Sequence, residues 1–200
     1  MMADAGAMST QEAKSALRRA ARARRRSAVR PPQDAETLRD QVCALPEVQQ
    51  ASRVAAYVSA PHEPPTTALL DRWRQEGRAV LLPVVLDDLD LDWALDDAAH
   101  RPGLLRTVPE PSSERLGVDA VRGADVVVVP ALAVDRAGRR LGQGGGSYDR
   151  ALARLAAHTL VVAVVHPEEL VDGPLPTEAH DRRVDVVVTA REVVRVSPRG

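Results

Sequence analysis

The sequence contains no phenylalanine, isoleucine or asparagine, and only two tyrosines and two tryptophans. Its single cysteine, Cys43, excludes an internal disulfide and suits a reducing compartment. No apolar run approaches the roughly 20 residues that a membrane helix needs. The opening stretch MMADAGAMSTQEAK lacks the apolar centre of a secretory signal. A cytoplasmic protein without a membrane contact is therefore expected. A formal net charge of −1 supplies no global field toward nucleic acid or an anionic surface. All 27 basic residues except Lys14 are arginine. The missing residues have AT-rich codons, which points to a GC-rich, bacterial-type gene. Against that drift the lone lysine and the tyrosines Tyr57 and Tyr148 are places to look for chemistry, although a bland reading makes them leftovers.

What is present is ordinary for a globular chain: 200 residues, 44% hydrophobic and 28% charged. That length suits one domain with a real core. Residues 1–9 read as a flexible tail, 10–194 as a single α/β domain and 195–200 as a second tail. A helix is predicted from Ser9 or Thr10, with Thr10 as a candidate N-cap, up to Pro31-Pro32. A second helix is predicted over Asp34–Leu45 and a third over Thr66–Glu76. Strands are predicted at 53–58, 79–85, 125–134, 159–165 and 184–188, where β-branched apolar runs suit a sheet covered on both faces. The acidic stretch 86–98 reads as a weak hairpin, 102–113 as a Pro-rich loop, and a helix is predicted over 148–157. Strands alternating with amphipathic helices predict a three-layer α/β fold, a mostly parallel sheet with helices on both faces.

The segment RRLGQGGGSYD (139–149) lies between a predicted buried strand and a helix. Gly142, Gly144, Gly145 and Gly146 allow positive φ and close approach of a ligand to the backbone. Amides at such a turn form an anion site. Arg139 and Arg140 add charge suited to phosphate. The segment is neither a GxxxxGK[ST] loop nor a dinucleotide fingerprint. As a glycine-rich loop alone, it reads equally well as a phosphate cradle or a mobile surface loop.

Together with its flanks, LAVDRAGRRLGQGGGSYDR resembles the signature of the 5-formyltetrahydrofolate cyclo-ligase (methenyltetrahydrofolate synthetase) family. Four more segments match in order: Lys14-x-x-Leu17-Arg18, YVSAPHEPPT (57–66), VPEP (108–111) and LPTEAHDRRVDVVVT (175–189). Each is weak alone, and their joint order is specific. The resemblance implies an enzyme that uses ATP and Mg²⁺ to convert 5-formyltetrahydrofolate, in simple or polyglutamylated form, into 5,10-methenyltetrahydrofolate, ADP and phosphate. A monomer is expected.

By the same resemblance, Lys14 and Arg140 are catalytic. Lys14, Arg18, Arg140, Gly142, Gly144, Gly145, Gly146, Ser147 and Tyr148 hold the nucleotide. Tyr57, Val58, Glu63 and Ser147 meet the folate, with Glu63 facing the pterin's N–H donors. Asp149 and Asp181 face the metal. Lys14 and Arg18 are four apart and share a helix face. The plainer readings are a solvated basic face for the helix, since Lys14 to Arg30 holds eight basic and no acidic residues. Asp149 can instead serve as a helix N-terminal acid, Asp181 as a turn residue and Tyr57 as a core aromatic. His180 reads as a loop hydrogen-bonder without a catalytic role.

The sequence departs from the family at Ser147, where an aromatic is common, and at Gln143, where a bulky or basic residue is. Trp93 is a candidate to compensate. The departures leave room for a paralogue with another substrate. A second reading takes the basic N-terminal helix as a nucleic-acid-binding element, which the few aromatics and the charge balance disfavour. A third takes it as an organellar leader, against which Asp4, Glu12 and the Lys14 motif argue.

Overall fold

The computed structural model describes residues 9–105, 108–178 and 181–196. Helix α1 spans Thr10–Ser27. Its cap is Ser9 rather than Thr10: the Ser9 hydroxyl accepts the Glu12 amide at 3.2 Å, and the Glu12 carboxylate accepts the Ser9 amide at 2.8 Å. Ser9 thereby belongs to the helix and not to the tail. Helix α2 (Asp34–Cys43) stops short of Leu45, because Leu45 is extended before Pro46, which opens a separate short helix α3 (Pro46–Gln50).

Strand β1 covers only Arg53–Ala55. The chain leaves the sheet by Tyr57 because a closed loop begins there: the Thr66 hydroxyl donates to the Tyr57 carbonyl at 2.7 Å, and Ser59 and Thr66 exchange amide–hydroxyl bonds. Helix α4 (Thr67–Gln75) and strand β2 (Ala79–Val85) follow. The acidic segment forms a turn and then strand β3 (Leu91–Leu95), antiparallel to β2. At the start of the predicted loop and within it, β4 (His100–Pro102) and β5 (Pro109–Pro111) pair as a small arm.

The predicted strand over 125–134 is two strands. Strand β6 (Val126–Pro130) ends at Pro130, which has no amide to continue a ladder, and β7 (Ala133–Asp135) joins another sheet. Leu132 donates to the Leu141 carbonyl at 2.8 Å, folding β7 onto β8 (Arg140–Leu141). Gly138 sits in that hairpin turn at φ +77°, where an added Cβ would lie 2.5 Å from the Val184 carbonyl. Helix α5 spans Ser147–Ala153 and ends four residues early. There the chain turns, and Arg182 takes the carbonyls of Leu152, Leu155, Ala156 and Thr159 at 3.2–3.4 Å. Strands β9 (Leu160–Val164), β10 (Leu170–Val171), β11 (Val186–Val188) and β12 (Val193–Arg195) complete the chain. β12 was not foreseen. It carries the fold one residue past the expected boundary at 194, and Arg195 there grips Glu47 at 2.8 and 2.9 Å.

The main sheet has the order β12-β11-β9-β6-β1-β2-β3, parallel except at its two edges. Neighbouring residues on its strands feed opposite layers, as period-2 geometry requires. Val54, Val80, Val126, Val128 and Val162 pack against α2, α3 and α4. Ala55, Leu81, Val127, Val161 and Val187 pack against Ala151 and Leu152 of α5. The α/β class, with its mostly parallel sheet between helical layers, is as expected. A second sheet, β10-β7-β8, supports α1 through Ala21, Leu132 and Leu141.

The chain passes from β1 to β2 on one side of the sheet and later from β6 to β9 to β11 on the other. β1 and β6 are adjacent and parallel. The crevice outside their C-terminal ends is therefore the topological switch point, where open α/β sheets bind ligands.

Candidate functional site

A cavity of about 170 Å³ opens at that switch point. Its floor is made by Tyr57 and Val58 after β1 and by Pro130 and Ala131 at the end of β6. Val85 and Leu91 line it from the β2–β3 hairpin, and Leu105 and Val108 from the β4–β5 arm. Arg140, the glycine loop 142–146, Ser147, Tyr148 and Asp149 form the remaining wall, with Glu63 across from them.

The glycine loop has its conformation because two of its residues are left-handed, Gly144 at φ +105° and Gly146 at φ +72°. Among the described residues, none of the amides from Gly142 to Ser147 donates to a protein oxygen. Unpaired amides gathered in one turn are costly unless water or an anion takes them. Arg140 reinforces the point: its side chain is buried, its Nε has no partner among the described residues, and one terminal nitrogen is paired with Asp149.

Helix α1 holds the loop from outside. Arg18 donates to the Gly142 carbonyl at 3.0 Å, and Arg22 donates to the Gln143 carbonyl at 2.8 Å and to its side-chain oxygen at 3.0 Å. The basic helix is thus turned partly inward. Lys14 lies one turn earlier, 8% exposed, with Nζ 3.1 Å from Asp181 and 3.7 Å from Glu178. Lys14, Arg18 and Asp181 therefore flank the loop rather than line the cavity. His180 lies outside the described residues.

At the other end Glu63 accepts the Ala60 amide at 3.0 Å. Burial pushes its carboxyl above the ordinary range, against the pull of that amide, of Arg25 and of the Gln143 side chain. Tyr57 is 3% exposed, and its hydroxyl has no partner among the described residues. Burial raises the pKa of both Tyr57 and Tyr148, so both are neutral donors. Trp93 does not compensate for Ser147. It is fully buried in the core on the α5 side of the sheet, because β3 pairs it with Pro83 and turns its ring inward.

Sequence reasoning missed Arg25. Its guanidinium, 5% exposed, donates to Glu169 from Nε at 2.6 Å and from Nη2 at 3.0 Å, and to the Ala131 carbonyl. The signal was legible: Lys14, Ala21 and Arg25 are the buried residues of α1, spaced seven and four, the spacing of one helical face. Glu110 was missed too. Its buried carboxylate accepts the Val85 amide at 3.0 Å and ties the β4–β5 arm to the cavity rim.

Fold and cavity together define an α/β ligand-binding protein with an anion-receptive loop beside an apolar pocket tipped by a carboxylate. Residues 10–190 match the profile of the 5-formyltetrahydrofolate cyclo-ligase family, and the chain belongs to that family. It is 43% identical to the 5-formyltetrahydrofolate cyclo-ligase of Mycolicibacterium smegmatis over 69% of this chain and 73% of that protein. It is 32% identical to the Escherichia coli enzyme of the same name over 84% of this chain and 96% of that protein. The solved structure of Aquifex aeolicus 5,10-methenyltetrahydrofolate synthetase superposes with a TM-score of 0.78 at 29% identity, covering 94% of this chain and 95% of the other.

Proposed function

We propose that the protein converts 5-formyltetrahydrofolate into 5,10-methenyltetrahydrofolate at the expense of ATP. The observation that carries this reading is a run of amides at 142–147, unpaired among the described residues, in a loop that lines the same cavity as Glu63. In the reaction the formyl oxygen takes the γ-phosphoryl group of ATP, releasing ADP. N10 then attacks the activated carbon and gives up its proton, and the C–O bond breaks with loss of phosphate. Such chemistry asks the protein mainly to position reactants and neutralise charge.

Each part of the site has a task under this reading. Amides of Gly142, Gly144, Gly145, Gly146 and Ser147 receive phosphate oxygens, and Arg140, with its unpartnered Nε, stabilises charge on the transferring group. Tyr148 borders the nucleotide. Arg18 fixes the loop through the Gly142 carbonyl. Lys14 exchanges its contact with Asp181 for phosphate. Glu63 accepts the N–H donors of the pterin, Tyr57 offers its free hydroxyl, and Val58 packs on the ring system.

Among the described residues no cluster of three or more His, Cys, Asp or Glu side chains could hold a metal ion by itself. Asp149 lies instead beside Arg140, and Asp181 beside Lys14 with Glu178 near it, each next to a cation read here as phosphate-binding. That donor set fits Mg²⁺, which takes one or two carboxylates and otherwise phosphates and water. Bound there, Mg²⁺ would offset phosphate charge. A cytoplasmic monomer acting on folate of either glutamylation state completes the proposal. A nucleic-acid role for α1 is not favoured, since Arg18, Arg22 and Arg25 are committed to the loop and to Glu169.

The test is direct. Purified protein with Mg·ATP should convert 5-formyltetrahydrofolate to the methenyl product, followed by its near-ultraviolet absorbance. No turnover, together with no calorimetric binding of Mg·ATP, would overturn the reading.

A further inference from the structure

Glu63 is one of two carboxylates that share one buried cation. Arg25 Nη1 lies 3.6 Å from Glu63 Oε1, while its Nε and Nη2 are engaged by Glu169. Glu169 is itself 0% exposed and accepts the His166 amide at 3.0 Å. The His166 ring, kept neutral by burial, donates to the His62 carbonyl at 3.1 Å and so anchors the residue before Glu63. Arg25 also donates to the carbonyl of Ala131, which lines the cavity. Three elements distant in sequence thus meet on one guanidinium, and one corner of it is left for Glu63.

We infer that Arg25 is a positioning residue for Glu63, holding that carboxylate toward the cavity, and that Glu169 limits how strongly it does so. The inference rests on the folate reading of the preceding section. The groups facing Glu63 are Arg25 from α1, Glu169 from the turn after β9, Tyr57 after β1, Tyr148 from α5 and the Gln143 side chain from the glycine loop. Of these only Arg25 is a cation and only Glu169 an anion. Each therefore has a signed effect. Glu63 accepts N–H donors when ionised, so its protonation sets the acid limb of folate use. Removing the cation makes ionisation harder and moves that limb to higher pH. Removing the competing anion frees Arg25 for Glu63, lifts a repulsion, and moves the limb to lower pH.

Arg25→Met and Glu169→Gln separate this role from a merely structural one, because both disturb the same buried pair. The pH dependence of kcat/KM for 5-formyltetrahydrofolate is measured in each, with the KM for ATP alongside. The expected result is an acid limb about one pH unit higher in Arg25→Met and lower in Glu169→Gln. Below the limb, where a one-unit shift lowers the ionised fraction about tenfold, Arg25→Met should also raise the folate KM about tenfold and leave the ATP KM within about twofold, with Arg25→Lys recovering part of the loss. Shifts of the same sign, or none, overturn the inference. If the wild type does not turn over the folate, the folate reading fails by itself. The carboxyl of Glu63, followed by carbon-13 NMR through a pH titration, then decides the coupling: midpoints displaced in opposite directions support it, and unmoved midpoints overturn it.

Discussion

On one side of the cavity, Tyr57, Val58 and Pro130 are presented by β1 and β6, whose ladders continue through five parallel strands. On the other, Gly142 to Ser147 bridge β8 and α5 with no amide bonded to another of the described residues, and arginines of α1 hold two of the loop's carbonyls. The first wall is fixed by burial and by backbone pairing. The second is fixed by side chains reaching across more than a hundred residues of sequence, which leaves its donors free. An apolar ring needs a rigid slot of set width, and a polyphosphate needs unspent N–H groups in a low-dielectric setting. The difference between the walls matches those two needs.

The largest effects should come from the charged wall. Arg140→Ala is expected to lower kcat by about 10²–10³-fold, because it removes a preorganised donor from the transferring charge. Lys14→Met should also abolish most activity while thermal melting stays close to wild type, as the methylene stem survives. Comparable turnover by both variants would break the contrast between the walls. Next in size is Gly144→Ala. An alanine at φ +105° is strained, and its Cβ would stand 3.3 Å from the Arg18 guanidinium. The distorted loop should raise the ATP KM about tenfold, for a conformational cost of about 1–2 kcal/mol, and leave the folate KM unchanged.

Glu63→Gln tests the opposite wall. The amide keeps the shape but carries no charge, and one of its ends donates rather than accepts. A rise of about tenfold to a hundredfold in folate KM, with the ATP KM unmoved, is expected for the loss of a charge-assisted bond of about 1.5–3 kcal/mol. Movement of both constants together would show that the walls are not independent. Gln143, whose side chain faces Glu63 and also accepts from Arg22, is the residue that would couple them.

The two walls also differed in how far the sequence reveals them. Every strand of the parallel centre was legible, because a valine run such as 126–129 is buried on both faces whatever it pairs with. The glycine loop was legible as a motif, since few backbones demand four glycines in five residues. The hidden features are those set by partners distant in the chain. β12 and the β4–β5 arm are three-residue strands that exist by pairing, and a span of such length has no periodicity to read. The break at Ala131 follows from Pro130, whose missing amide was visible, but the new partner at Leu141 was not. Arg25 fell within a run of arginines. Only its place on the Lys14 face marked it, and the glutamate that buries it lies 144 residues away.

The smallest predicted effect sharpens the comparison at the seam between the walls. Ser147 opens α5 and lines the cavity, so it belongs to the loop by position and to the ring slot by contact. It is a hydroxymethyl group where the family resemblance implies an aromatic. An added Cβ at nearby Gly145 would lie 3.5 Å from Ser147 Oγ and from Leu89, so the seam has ordinary contacts. A tyrosine at 147, a position that lines the cavity, can extend into it and lie against a bound ring. Stacking of that kind is worth about 0.5–1.5 kcal/mol, so Ser147→Tyr should lower the folate KM by about two- to tenfold at unchanged ATP KM. If the folate KM rises instead, the slot is already filled by the wild-type walls. The serine then keeps it wide enough for its ligand, and this chain grips the ring mainly through Tyr57, Val58 and Glu63.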